Sequence, residues 1–196
     1  MRRAVIAALA VSTAMLTACT NQAGAAALVG DVVFSETQVQ ADTAEVLGAA
    51  DAAGGIQVEN AAVAREQVRR LVTEELVELA AAEQGVEVTA GDVDRSIAQV
   101  AATTPGGVDA LELQLATQNG VPPSALESFV RTFLLQQELV AATGAPPGLA
   151  EQQYVSQLAE LSDEVGVSIS PRYGEWVPTE LRVAEPPFDL AAPPTT

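Results

Sequence analysis

The chain has 196 residues, the length of one domain, and a formal net charge of −17 from 26 acidic and 9 basic residues. All nine basic residues are Arg, and the absence of Lys and His excludes Ser-His-Asp triads, Cys–His pairs, Schiff-base lysines and P-loops. The acidic balance argues against a nucleic-acid partner, because phosphate binding requires a basic surface, and the single Cys excludes His/Cys zinc sites.

The first 18 residues have the pattern of a secretory signal peptide. Two arginines precede an apolar run, 4–16, which is too short for a membrane span of about 20 residues. The run ends in Leu-Thr-Ala-Cys, which resembles the lipobox of bacterial lipoproteins. This resemblance implies cleavage before Cys19 and lipidation of Cys19 by diacylglycerol and a further acyl chain such as palmitate. A small-residue cleavage site with a chance Cys is the alternative.

The lipobox therefore predicts a lipoprotein anchored on the extracytoplasmic face of the cell membrane. We expect residues 19–27, rich in Ala and Gly, to tether a helical domain that spans 28–176. The Pro/Ala-rich segment 177–196 is expected to be disordered. With one Cys, the chain has no pair for an intramolecular disulfide, so a core must supply its stability.

Short strands are predicted near both ends of this domain. Residues 29–34 form an apolar segment with a Gly-Asp turn, and residues 167–170 alternate between apolar and polar. An isolated strand leaves backbone groups without hydrogen-bond partners. We therefore expect the N-terminal and C-terminal strands to pair in a two- or three-stranded sheet.

Five or six amphipathic helices are predicted between these strands, so the fold class is mostly α. Three of their starts carry the Ser/Thr-x-x-acid/amide pattern of a capping box, at Ser35, Thr89 and Ser124. The predicted helical segments are 35–47, 60–84, 89–104, 108–119, 124–143 and 149–165.

The order of these elements resembles the SurA N-terminal chaperone domain. The similar parts are Ser-Glu-Thr-Gln-Val-Gln at 35–40, the stretch 79–94 with Gly-Val-Glu-Val-Thr and Asp-Val-Asp, the helix pair 111–140, and the ending 167–176. The resemblance covers 28–176 and implies a helical domain, related to the C-terminal domain of trigger factor, that binds unfolded, aromatic-rich segments of exported proteins.

The chain departs from this family in one respect. Relatives insert parvulin-type prolyl isomerase domains after the long helix, where this chain has only Gly-Ala-Pro-Pro-Gly at 144–148. We therefore expect no isomerase activity.

The candidate client-binding residues are Leu135 and Leu139. They lie nearly opposite the apolar side of the 124–143 helix that carries Phe129 and Phe133, which we interpret as core. Such residues more often pack against a second neighbouring helix, and this arrangement is weighed beside client binding for Leu135 and Leu139.

No metal site, cofactor site or catalytic residue is predicted, so we expect the protein not to be an enzyme. Asp92 and Asp94 lack the twelve-residue loop of a calcium site, and Asp92 is explained as a capping partner. The glutamates at positions 74, 75 and 78 have the spacing of a solvated helix face. Trp176 is expected to pack the terminal strand onto the domain.

Two functions remain open at this point. The first is chaperone-like binding of unfolded exported polypeptides without isomerase activity. The alternative is a structural or interaction lipoprotein that docks one specific folded envelope partner.

Overall fold

The computed structural model describes residues 24–55 and 59–186, and in these ranges the chain is mostly helical, as predicted. The predicted signal segment, Cys19 and the final residues 187–196 lie outside the described residues. The described helices are α1 (Glu36–Ala52), α2 (Asn60–Gln84), α3 (Ala90–Thr103), α4 (Gly107–Asn119), α5 (Leu126–Ala142) and α6 (Ala150–Val165). The strands are β1 (Ala25–Val29), β2 (Val32–Ser35), β3 (Val167–Ile169), β4 (Glu175–Val177) and β5 (Arg182–Ala184).

Strand β1 is the central strand of an antiparallel sheet with the order β2-β1-β3. Val29 is paired with Val32 of β2 on one side and with Val167 of β3 on the other. Gly30, with a φ of +55°, forms the tight turn between β1 and β2. The predicted pairing of the N-terminal and C-terminal strands is therefore confirmed, and it is made by β1.

Two of the three predicted capping positions act as helix caps. The Ser35 hydroxyl accepts a hydrogen bond from the backbone N–H of Gln38 at 3.1 Å, and Thr89 forms a complete capping box with Asp92. The box predicted at Ser124 is wrong, because residues 123–125 form a 3₁₀ turn and α5 begins at Leu126. The backbone N–H of Ser124 instead donates to Glu45 of α1 at 3.1 Å.

The predicted disordered tail begins too early, because residues 178–184 are ordered. Strand β5 pairs with β4, and Val183 of β5 is buried. Gly174 lies so close to β5 that a Cβ there would be 1.8 Å from the carbonyl oxygen of Ala184. The indole Nε1 of Trp176 donates to the Ser162 hydroxyl of α6 at 2.6 Å. As expected, Trp176 packs its strand, β4, onto the helical domain.

Helix α2 is the helix around which the core is built. It contacts α1, α5, α6, β1 and β5. The consecutive residues 70–72 are all buried, which shows that the neighbouring elements cover more than one side of α2. The amphipathic stripe predicted from the sequence describes only part of this burial.

A buried arginine joins α2 to its neighbours. The Arg70 guanidinium donates from Nη2 to Asp42 of α1 at 2.6 Å, and from Nη1 to both carboxylate oxygens of Glu74 at 2.9 and 3.0 Å. Its Nε donates to the side-chain carbonyl of Gln67 at 3.1 Å, and the amide of Gln67 donates to the carbonyl of Gly120 at the end of α4 at 2.8 Å. One network thus fixes α1, α2 and α4 relative to one another.

Replacing Arg70 by Met leaves Asp42 and Glu74 buried without their cation. We expect the free energy of unfolding to fall by about 3–5 kcal/mol, which is typical of a broken buried ion pair. Arg95→Met is the matched control, because Arg95 pairs with Asp92 at the exposed surface and such pairs contribute at most about 1 kcal/mol. Chemical denaturation of both variants measures the difference, and similar losses in the two would contradict this role of Arg70.

Burial also affects the pKa values of the two carboxyl groups in the network. Removal from water raises the pKa of Asp42 and of Glu74 above their ordinary values of 3.8 and 4.5, although Arg70 acts in the opposite direction. When the folded-state pKa of a group is above its unfolded-state pKa, the native state binds more protons than the unfolded chain in the pH window between the two values. The contribution of these groups to stability therefore increases as the pH falls through the window.

We expect the protein to be more stable at about pH 5 than at pH 7, measured as the denaturant midpoint. Asp42→Asn should reduce this pH dependence. Glu151→Gln, which removes one exposed negative charge, should leave the pH dependence unchanged. Asp92 acts in the opposite direction below its ordinary pKa of 3.8, because its bonds to Thr89 and Arg95 lower its pKa to about 2. A midpoint that does not change between pH 7 and 5, or an unaltered dependence in Asp42→Asn, would contradict the assignment.

Candidate functional site

The two predicted client-binding residues lie in the core. Leu135 and Leu139 are both 0% exposed, on the side of α5 that packs into the core around α2. These two positions are not open to clients, so their assignment as client-binding residues is wrong and the packing against neighbouring helices holds. The physical reason is that α5 is apolar on two sides, and the side with the leucines is the one that α2 covers.

The aromatic side of the same helix is the one that remains accessible. Phe133 is 51% exposed, and Phe129, one turn earlier, is half-buried. Residues four apart on a helix are surface neighbours, so the two rings lie on adjacent turns of α5. The interpretation of Phe133 as a core residue is therefore wrong. We refer to Phe129 and Phe133, with the exposed amides Gln136 and Gln137 that follow, as the aromatic face.

The aromatic face contains no charged residue. The charged residues of α5 are Glu127, Arg131 and Glu138, which lie on another side of the helix at the 100° per residue of an α-helix. Arg131 is held there because its Nε donates to Glu78 of α2 at 2.5 Å and its Nη1 donates to the carbonyl of Val88. An uncharged strip centred on an exposed Phe is suited to contact with apolar side chains.

The described surface as a whole is acidic. Every arginine in the described ranges forms an ion pair with a carboxylate, so the described surface offers no unpaired basic side chain. The paired residues are Arg65, Arg69, Arg70, Arg95, Arg131, Arg172 and Arg182. The remaining carboxylates give the molecule a strongly negative surface, which opposes self-association.

The carboxylates considered for chemistry have structural partners. Glu74 binds Arg70, Glu78 binds Arg131, and Asp92 accepts hydrogen bonds from the backbone and hydroxyl of Thr89. Within 24–55 and 59–186, no three acidic or Cys side chains converge as metal ligands would. In the same ranges, no helix combines the length and the apolar character needed to span a membrane.

From the sequence, the leucine side of α5 is the candidate for binding, whereas the structure leaves the side with Phe133 accessible to solvent. The available signal was the charge pattern, since a helix side that contacts solvent in so acidic a chain ordinarily carries charges. The side with Phe133 carries none.

Comparison with known families finds one family whose model matches most of the chain. The model of the SurA-like N-terminal domain matches residues 3–140, which include α1 to α4 and nearly all of α5. The remainder of the predicted resemblance, up to residue 176, lies beyond the matched range. No curated protein and no solved structure matches the chain.

Proposed function

We propose, since the chain belongs to the family of SurA-like N-terminal domains, that it binds unfolded segments of exported polypeptides and keeps them soluble. The observation that carries this proposal is the aromatic face, an uncharged surface with an exposed Phe on an otherwise acidic protein. The role is one of binding and requires no catalytic group, and the isomerase activity of longer relatives is not part of it.

The expected affinity follows from the size of the aromatic face. Burying one large apolar side chain contributes about 1.5–3 kcal/mol, and ordering a flexible client offsets part of the total. A few such contacts give dissociation constants in the micromolar range. Weak binding of this kind suits a chaperone, because clients must leave in order to fold.

The acidic surface supports the same role. A chaperone with an exposed Phe must avoid burying it against a second copy of itself. The net charge of −17 makes two copies repel each other, so the aromatic face remains accessible to clients.

We further propose that Cys19 anchors the protein to the extracytoplasmic face of the cell membrane. The lipobox at 16–19 supports this, and Cys19 is the one Cys of the chain. Residues 20–23 separate Cys19 from the described fold, and the five residue steps from Cys19 to Gly24 reach at most about 18 Å. Clients would therefore be bound close to the membrane from which exported chains emerge.

The central test replaces Phe133 by Ser in the full chain carrying Cys19→Ser. We expect suppression of the aggregation of a denatured model protein to require about tenfold or more additional chaperone, because one large apolar contact is lost. Leu149→Ser is the matched control, since Leu149 is 52% exposed, much as Phe133 is, but lies at the start of α6. Leu135→Asp should instead unfold the domain, because it places a charge in the core.

Three results would overturn this proposal. They are no suppression by the parent protein at severalfold excess, equal effects of Phe133→Ser and Leu149→Ser, and capture of one folded partner at fixed stoichiometry in place of unfolded chains. The last result would favour the specific-partner lipoprotein.

The anchor has its own test. Cys19→Ser should move the protein from the membrane fraction to the soluble fraction or leave an uncleaved precursor, because the substitution removes the thiol that would carry the diacylglycerol. Fractionation and intact mass measure this. Unchanged fractionation, together with a parent protein that carries no lipid mass, would contradict anchoring at Cys19.

A further inference from the structure

A second surface feature lies at the N-terminal end of α5. Helices α3, α4 and α5 enclose an open groove of about 330 Å³. Its apolar lining comes from Ile97 and Ala98 of α3, Val108 of α4 and Leu126 of α5. Val108 is 40% exposed, so part of this apolar lining is open to solvent.

Three carboxylates also line the groove. They are Asp94 of α3, Glu112 of α4 and Glu127 of α5, one from each helix. None of the three forms an ion pair with an arginine of the described ranges. The groove therefore combines an apolar interior with uncompensated negative charge contributed from three sides.

This combination fits the side chain of Arg or Lys. Both residues carry an apolar stem that can lie along Val108 and Leu126 and a cationic head that can reach carboxylates. A metal ion is a poorer occupant, because no group of three carboxylates in the described ranges has the geometry of a metal site. An acidic or phosphorylated segment would be repelled.

The groove and the aromatic face are aligned along one helix. Leu126 of the groove and Phe133 of the aromatic face are seven residues apart, which places them on the same side of α5. At 1.5 Å per residue they are separated by about 10 Å along the helix axis. An unfolded client in the extended polyproline II conformation has three residues per turn and rises about 3.1 Å per residue, so side chains three positions apart lie on the same side about 9 Å from each other.

We propose that the groove binds a basic side chain of the client while the aromatic face binds an apolar side chain about three residues away. This inference rests on the proposed client-binding function and specifies its substrate class. The preferred segment is extended. It carries Arg or Lys at one position and Phe, Tyr or Leu three positions before or after it.

Fluorescence anisotropy with three labelled peptides tests the proposal on the full chain carrying Cys19→Ser. The peptides share a Phe and differ three positions away, where they carry Arg, Ser or Glu. We expect the Arg peptide to bind about fivefold or more tighter than the Glu peptide at low salt, since rim charges contribute modestly per pair, and the difference to shrink at 0.5 M salt.

Variants then assign the preference to the groove. Asp94→Asn with Glu112→Gln should reduce the preference for Arg by about twofold or more, because Glu127 and the overall negative charge remain, and should leave the affinity of the Ser peptide unchanged. Glu151→Gln with Glu160→Gln is the matched control, because it removes the same charge from exposed positions of α6 and should retain the preference.

The outcomes separate this proposal from the proposed function. Equal affinities for the Arg and Glu peptides, or a preference that falls no further in Asp94→Asn with Glu112→Gln than in the control variant, would overturn the groove assignment while binding of the Ser peptide still supports client binding. A Phe133→Ser variant that binds the Ser peptide as well as the parent does would overturn the aromatic face itself.

Discussion

The buried guanidinium of Arg70 is the contact on which the arrangement of the helices depends. It binds Asp42 of α1 and Glu74 of α2, and through Gln67 it is connected to the carbonyl that ends α4. A buried charge is tolerated only when its partners are held in place, so these helices have little freedom to shift. The other sides of α2 are then left for β1, α5 and α6.

The position of α2 determines which side of α5 reaches solvent. Helix α5 carries leucines on one side and phenylalanines on another, and α2 can cover only one of them. It covers Leu135 and Leu139, so Phe133 remains outside. The exposed ring is thus a consequence of core packing, and the lack of charge around it is a property of the sequence. Together they form the surface to which we assign client binding.

Local signals in the sequence predicted most of the fold, and contacts between distant residues account for the errors. Helical periodicity, the capping box at Thr89 and the strand alternation at 167–170 predicted elements that the structure contains. The order of residues 178–184 depends on the approach of β5 to Gly174, which composition does not reveal. Whether Leu135 or Phe133 is buried depends on where α2 lies. The local sequence of a helix that is apolar on two sides does not indicate which side will be covered.

Photo-crosslinking in intact cells tests whether the aromatic face binds exported polypeptides. A benzophenone amino acid in place of Phe133 retains an aromatic ring at the surface, and the same residue in place of Gln152, exposed on α6, serves as the control. We expect crosslinks from position 133 to many different exported polypeptides, and few from position 152. Crosslinks to one folded partner, or equal yields from the two positions, would contradict this expectation.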